Sequence, residues 1–166
     1  FNNGNYLWVA SYDKNTMSID PSTLKQCLGN TEAWENTPDY PAAPIMEGPT
    51  VIKHKGKYYL FYSANHFMSR DYAVGYAVAD SPMGPWHKPA NNRIIHRSTV
   101  GENGSGHGDV FADKKGNMFY VYHVHNSNHA VSPRLTRIVP LHFIPSNDGF
   151  DHVMVKKEEV IVPMQK

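Results

Sequence analysis

The feature that most constrains the fold of this 166-residue chain is an internal repeat of short aromatic segments. Residues 56–62 (GKYYLFY) and residues 116–122 (GNMFYVY) lie sixty positions apart and match in character at every position. A third copy, residues 4–11 (GNYLWVAS), lies 52 positions before the first of these. The two later copies each follow a basic turn, as a β-hairpin requires, and each of the three copies is followed by another strand-like segment. Repeats of roughly 40–50 residues built from strands are typical of β-propeller blades.

Proline and aromatic content supports an all-β fold. Twelve prolines are scattered along the chain, so helices would be cut short, and no long stretch keeps helical spacing. The aromatic runs read instead as strands buried on both faces. We therefore predict a β-propeller of which this chain provides about three blades; the alternative is a β-sandwich whose hairpins resemble one another by coincidence.

The three copies differ in completeness. Apolar strands at residues 48–53 and 110–112 precede the turns of the second and third copies, but only residues 1–3 precede the first. The N-terminal blade is therefore expected to lack its innermost strand. We predict one domain over residues 1–166, the C-terminal part of a propeller, with residues 153–155 and 160–162 forming a closing hairpin.

Charge and cysteine content exclude several classes of function. Sixteen Lys and Arg against fifteen Asp and Glu give a formal net charge of +1, which provides no electrostatic footprint for nucleic acid or an anionic membrane. No apolar run approaches the ~18–20 residues of a membrane span. The single cysteine, Cys27, cannot form an intrachain disulfide or a cysteine-based zinc site. We expect a secreted or periplasmic protein, although these residues show no signal-peptide pattern.

Two polar residues open the inner strands of the later copies. In a propeller these positions surround the central axis, where ligands bind. Glu47 opens the second copy, in the sequence Met-Glu-Gly-Pro, and the sixty-residue offset places His107 at the start of the third. A partly desolvated carboxyl there is able to protonate a leaving oxygen. The alternatives are a glutamate that caps a strand or meets solvent, and a histidine that satisfies a turn.

Residues 47–53 (EGPTVIK) and 56–65 (GKYYLFYSAN) resemble the general-acid blade of glycoside hydrolase family 43. Further similar segments follow in family order: residues 74–86 (VGYAVADSPMGPW), 104–107 (GSGH) and 120–123 (YVYH), then Arg134 and the Asp-Gly pair at 148–149. The ordered set is more specific than any one piece, and it extends over most of residues 5–150.

The resemblance implies a five-bladed propeller enzyme that hydrolyses arabinose- or xylose-containing oligosaccharides or polysaccharides with inversion. It implies that Glu47 is the general acid and that Arg134 lies near the sugar subsite. Independently of the resemblance, Asn65 and His66 are expected to supply further hydrogen bonds to a sugar. His107 matches a histidine on the propeller axis that often neighbours a bound calcium ion, although no cofactor is required. The alternative for Arg134 is a solvated strand residue.

The resemblance is incomplete where the catalytic base is concerned. Inverting hydrolysis needs a second carboxylate about 6.5–9.5 Å from the acid, and the family takes it from blades that would lie upstream of Phe1. The family also takes from upstream blades a third carboxylate that tunes the acid. Asp20 is a candidate for that tuning residue, but it follows a central strand, whereas the family motif precedes one. Asp109 is nearer the axis but lies on the strand of His107. We therefore expect the base upstream.

Two functions stay open on this reading. One is a hydrolase completed by upstream blades; the other is an inactive, truncated propeller that binds carbohydrate or self-associates. Three blades cannot close a five-bladed ring, and exposed blade faces are seldom left bare. We expect either an N-terminal half or another copy of the chain to cover them.

Overall fold

The computed structural model describes residues 6–39 and 45–164, and these residues are almost entirely strands and turns. The all-β prediction is confirmed for this part of the chain. A short helix, α1, spans Arg97–Val100, and 3-10 turns span Ala33–Glu35 and Lys157–Glu159. The strands are β1 (Tyr6–Asp13), β2 (Ser18–Gly29), β3 (Met46–His54), β4 (Lys57–Ala64), β5 (Ala73–Ala79), β6 (Gly106–Ala112), β7 (Met118–Val124), β8 (Leu135–Pro140), β9 (His142–Ile144) and β10 (His152–Met154).

The predicted repeat appears as two antiparallel sheets of the same order, β3-β4-β5 and β6-β7-β8. The first copy forms the two-stranded sheet β1-β2, and its residues 1–5 lie outside the described part of the chain. Isolated bridges from Val78 to His87 and from Val74 to Ile95 add a fourth segment to the outer edge of β5. The second and third repeats thus have the consecutive strand order of a propeller blade.

The middle sheet packs on both faces, which explains its continuous hydrophobic sequence. Tyr59 and Phe61 point to the side of the β6-β7-β8 sheet, where the Phe61 and Tyr120 rings lie 5.8 Å apart. Leu60 and Tyr62 point to the opposite side and pack with Leu7 and other residues of the first sheet. Because successive strand residues alternate between faces, two apolar faces require an uninterrupted apolar run.

The sixty-residue offset holds for β4 and β7 but not for the inner strands. Four residues separate the paired Lys53 and Tyr58, whereas five separate the paired Ala112 and Met118. The longer second turn shifts β6 by one position relative to β3. Glu47 therefore corresponds to Gly106 and not to His107, and the predicted equivalence of Glu47 and His107 is wrong by one residue.

The predicted closing hairpin of residues 153–155 and 160–162 is also wrong. Strand β10 pairs with β9, and Ile161 pairs with Ile138 at the edge of β8. Val153 is fully buried in the core, and its backbone N–H donates to the hydroxyl of Tyr76 at 3.1 Å. This buried anchor directs β10 towards the interior, away from the segment at 160–162.

The first sheet presents large apolar side chains to solvent. Tyr12, Met17, Ile19 and Leu24 are each about half exposed or more, at 53%, 75%, 48% and 51%. Such a surface agrees with the open blade face expected of a partial propeller. That an N-terminal half or another copy of the chain covers this surface stays a prediction. In the part of the chain described here, no helix has the length and apolar character to cross a membrane.

Candidate active site

Glu47 and His107 lie side by side at the beginning of β3 and β6. The Nδ1 atom of His107 is 3.6 Å from Oε1 of Glu47, and the two side chains are 52% and 30% exposed. Two hydrogen bonds join the neighbouring sheets at this point. The backbone N–H of His107 donates to Oγ of Ser63 at 2.8 Å, and Oγ1 of Thr50 donates to Asp109 Oδ1 at 2.6 Å. The structure thus brings together the two residues that the sequence placed at the axis, despite the shifted register.

Both inner strands are bulged where these side chains emerge. The register shifts between Glu47 and Thr50 in β3, and between Gly106 and Asp109 in β6. His107 has a positive φ of 47°, a left-handed conformation that is uncommon for a residue with a side chain. Strained backbone of this kind costs on the order of 1–3 kcal/mol and clusters at functional sites. The bulge therefore marks the Glu47–His107 pair as a site that the fold holds in place.

Tyr72, at the entry to β5, orients the Glu47 carboxylate. Its side chain is fully buried, and its hydroxyl donates to Glu47 Oε1 at 2.7 Å. Burial, followed by the negative charge of Glu47, raises the pKa of Tyr72 well above its ordinary value. Tyr72 therefore stays protonated and keeps donating. The other carboxylate oxygen, Oε2, makes no hydrogen bond with the residues that the structure describes, so it is free to hold a proton.

A row of stacked rings leads from Tyr72 and His107 to Arg134. The ring of His123 lies 5.6 Å from that of Tyr72 at 12° and 6.4 Å from that of His107 at 17°. Arg134 donates from Nη1 to Nε2 of His123 at 2.8 Å, and its guanidinium lies over the Phe67 ring at 5.4 Å. Arg134 is therefore connected through His123 to Tyr72 and His107, the two residues that contact Glu47.

The two other predicted substrate contacts follow β4. Asn65 is 1% exposed, and all its polar atoms are used: Oδ1 accepts from the N–H and hydroxyl of Thr37, and Nδ2 donates to the carbonyls of Trp34 and Asp71. Its side chain therefore ties loops together and has no free polar atom for a sugar, which corrects the predicted contact. His66 is half-buried, and its ring stacks on Phe67 at 4.8 Å. Its substrate contact stays a prediction.

The residues around His107 do not make a calcium site by themselves. Calcium takes six to eight oxygen ligands, whereas His107 offers a ring nitrogen directed at Glu47 and Tyr72. In residues 6–39 and 45–164, no group of three His, Cys, Asp or Glu side chains is arranged to hold a metal ion. His107 would supply at most one ligand, and a calcium ion beside it stays a prediction.

The two carboxylates considered from the sequence, Asp20 for tuning the acid and Asp109 as a base, are engaged locally. Asp20 is exposed in β2, and its Oδ1 accepts from the backbone N–H and the hydroxyl of Ser22. Asp109 accepts from Thr50 and from the N–H of Val110. The expectation of a base from upstream blades stays a prediction.

Sequence reasoning missed Tyr72, His123 and Phe67. His123 is only the last residue of the YVYH segment, Tyr72 precedes β5 outside any motif named above, and Phe67 lies in a loop with no motif. The second glycine of the GSGH motif, Gly106, is the one sequence feature that points to a large side chain packed there. A Cβ on Gly106 would lie 2.3 Å from Cε1 of Tyr72, so glycine at this position permits the tyrosine ring to pack there.

We expect Gly106→Ala to destabilise the fold and to displace Tyr72. The added methyl group would overlap the fully buried ring, and overpacking of this kind costs about 1–3 kcal/mol. Urea unfolding at constant protein concentration measures the loss. Thr136→Ala, an exposed substitution in the same sheet, should change the free energy of unfolding by less than about 0.5 kcal/mol. Equal stability of Gly106→Ala and the unmodified protein would contradict this packing.

Comparison with known proteins agrees with the fold. The sequence model of the family described as "Glycosyl hydrolases family 43" matches residues 2–149. A solved structure described as an endo-1,4-beta-xylanase from Bacteroides thetaiotaomicron is 37% identical, with a TM-score of 0.83 over 98% of this chain and 53% of its own. A thermostable family-43 glycoside hydrolase is 35% identical, with a TM-score of 0.78 over 93% of this chain and 49% of its own.

A curated relative, beta-D-galactofuranosidase xynD of Aspergillus niger, is 33% identical over 78 residues, which are 47% of this chain and 23% of that protein. The chain thus spans about half the length of the two solved structures and about a quarter of the galactofuranosidase. The prediction of a five-bladed type of propeller, present here in part, is confirmed. With a family match over residues 2–149, this chain belongs to glycoside hydrolase family 43.

Proposed function

We propose that this chain is the general-acid part of an inverting glycoside hydrolase that acts on arabinose- or xylose-containing plant polysaccharides or oligosaccharides. The observation that carries the proposal is the placement of Glu47 in a bulged inner strand, with one oxygen held by Tyr72 and the other without a hydrogen-bond partner among residues 6–39 and 45–164. A catalytic base from the part of the propeller outside residues 1–166 completes the proposal.

The proposed chemistry follows from the two oxygens of Glu47. The proton on one carboxyl oxygen passes to the glycosidic oxygen as the bond from that oxygen to the anomeric carbon breaks. A water molecule attacks the anomeric carbon from the opposite face and gives its proton to the base, so that configuration inverts. Tyr72 keeps the Glu47 carboxyl in one orientation, and Arg134 offers hydrogen-bond donors to the sugar.

The names of the relatives support a choice of substrates to test. One similar structure is described as a xylanase, and the curated relative is described as a galactofuranosidase. We infer that a xylose- or arabinose-containing substrate is preferred, with galactofuranosides as the comparison.

The test measures aryl β-xyloside, aryl α-arabinofuranoside and aryl β-galactofuranoside hydrolysis. It uses residues 1–166 alone and the natural polypeptide that contains them. We expect hydrolysis by the natural polypeptide and much less by residues 1–166. Proton NMR at early times should show the inverted anomer first. A retained anomer, or full activity of residues 1–166 alone, would overturn the proposed mechanism.

The second candidate is an inactive propeller that binds carbohydrate or self-associates, and the exposed apolar side chains of β1 and β2 favour it. Absence of hydrolysis by either protein, together with calorimetric binding of xylo-oligosaccharides, would support this function. Sedimentation measurements on residues 1–166 test self-association. A stable monomer at all concentrations would contradict self-association.

A further inference from the structure

The histidine at position 123 lies between the proposed acid and the proposed sugar contact, and neither the motifs nor the mechanism above gives it a role. It projects from β7, and His125 follows directly after the last residue of that strand. The two histidines bond to two residues, Arg134 and Phe67, that contact each other. His123 accepts from Arg134, and Nε2 of His125 donates to the carbonyl of Phe67 at 2.9 Å.

The aromatic ring of Phe67 in turn packs against the guanidinium of Arg134. The Arg134 guanidinium lies 5.4 Å from the centre of the Phe67 ring, within the range of a cation–π interaction. Arg134 itself is exposed, and an exposed arginine ordinarily samples many rotamers. Here one hydrogen bond and one aromatic face fix its head group.

We propose that His123, together with Phe67, is a positioning residue that holds the Arg134 guanidinium ready for the sugar beside Glu47. The inference rests on the proposed function only in naming a sugar as the ligand. It requires that Nε2 of His123 carry a lone pair, with the proton on Nδ1, because an arginine N–H can only donate.

The surroundings favour that neutral form. Burial lowers the pKa of His123 to about 4, and the positive charge of Arg134 contributes further, with smaller effects from His107 and His125. The carboxylate of Glu47 approaches His107, and the Tyr72 ring that stacks on His123 stays uncharged. Near pH 7, His123 is therefore an acceptor for Arg134.

Fixing the guanidinium in advance matters because ordering a long side chain opposes binding. A binding site whose donors are already placed avoids the entropic cost of immobilising them. Loss of the His123 acceptor should therefore weaken sugar binding through Arg134, while the proton donor Glu47 stays in place.

The test is a double-mutant cycle in the natural polypeptide that contains this chain, with xylobiose binding and turnover as readouts. His123→Phe keeps a ring to stack on Tyr72 and His107 but removes the acceptor. We expect KM and the dissociation constant to rise about tenfold, the size of one hydrogen bond to a charged group, with kcat changed much less. In an Arg134→Met background the same change should have less than about a twofold effect. His123→Gln, whose amide oxygen is able to accept from Arg134, should restore most of the affinity.

An equal loss in both backgrounds would show a merely structural role for His123 and overturn the inference, as would unchanged affinity in His123→Phe. NMR of residues 1–166 tests the same inference without sugar. The ¹⁵N shifts of His123 should report a proton on Nδ1, and the Arg134 guanidinium should lose order in His123→Phe and in Phe67→Leu. A proton on Nε2, or an Arg134 equally ordered in both variants, would contradict it. If no sugar binds but these signals behave as expected, the proposed function fails and the positioning of Arg134 stands.

Discussion

Glu47→Gln is expected to lower kcat by about 10²- to 10⁴-fold on substrates with poor leaving groups, which is the usual contribution of a general acid. The amide keeps the size of the side chain and is able to accept from the Tyr72 hydroxyl, so the local fold should survive. It has no acidic proton to give to the leaving oxygen. The measurement is kcat for a series of aryl xylosides of decreasing leaving-group pKa, in the natural polypeptide that contains this chain.

The dependence on leaving group separates an acid from a structural residue. Because a leaving group of low pKa departs without protonation, the loss in Glu47→Gln should shrink towards the most activated substrates. Glu158→Gln, an exposed glutamate in the 3-10 turn at 157–159, serves as the matched control and should keep normal activity. A loss in Glu47→Gln of the same size for every leaving group would contradict general-acid catalysis by Glu47.

Lys88→Met is expected to lower the free energy of unfolding by about 3–5 kcal/mol, the cost of leaving a buried charge without its partner. The Glu35 carboxylate is fully buried, and Nζ of Lys88 lies 2.5 Å from its Oε1. The same ammonium donates to the carbonyl of Gly29, at the end of β2. Lys88 therefore ties the first sheet to the segment beyond β5, and denaturant unfolding should record its loss.

Two further variants test the cause. Glu35→Gln combined with Lys88→Met removes both charges and should recover part of the lost stability. Lys57→Met breaks an exposed pair with Asp80, whose side chain is 85% exposed, and should cost only about 0–1 kcal/mol. Similar losses for Lys88→Met and Lys57→Met would contradict the assignment of Glu35–Lys88 as a buried pair that joins the sheets.

The repeat was readable from sequence because both faces of the middle sheet are buried. Tyr59 and Leu60 pack on opposite sides, so the strand is apolar throughout and stands out in a single sequence. The equivalence of Glu47 and His107 was wrong because a one-residue difference in turn length leaves no trace in the apolar pattern. The two side chains nevertheless lie together, as predicted, because the bulge in β6 turns His107 towards Glu47.

The polar network could not be predicted in the same way. Asn65 reads as a sugar contact because amides often bind sugars, but its four hydrogen bonds join segments that are far apart in sequence. The pairing of Arg134 with His123 likewise depends on how β7 lies against the start of β8, which no local pattern encodes. Calcium beside His107, secretion, the single domain and association with another copy stay predictions.

The most direct test of proton donation by Glu47 is a crystal structure of the natural polypeptide carrying Glu47→Gln, with a bound xylo-oligosaccharide. We predict that the side-chain amide lies within hydrogen-bond distance of the glycosidic oxygen and that Arg134 contacts the adjoining sugar. A carboxylate from outside residues 1–166 should lie on the other face of that sugar, about 6.5–9.5 Å from position 47. A glycosidic oxygen bound away from position 47, with Arg134 facing solvent, would contradict the proposed roles of Glu47 and Arg134.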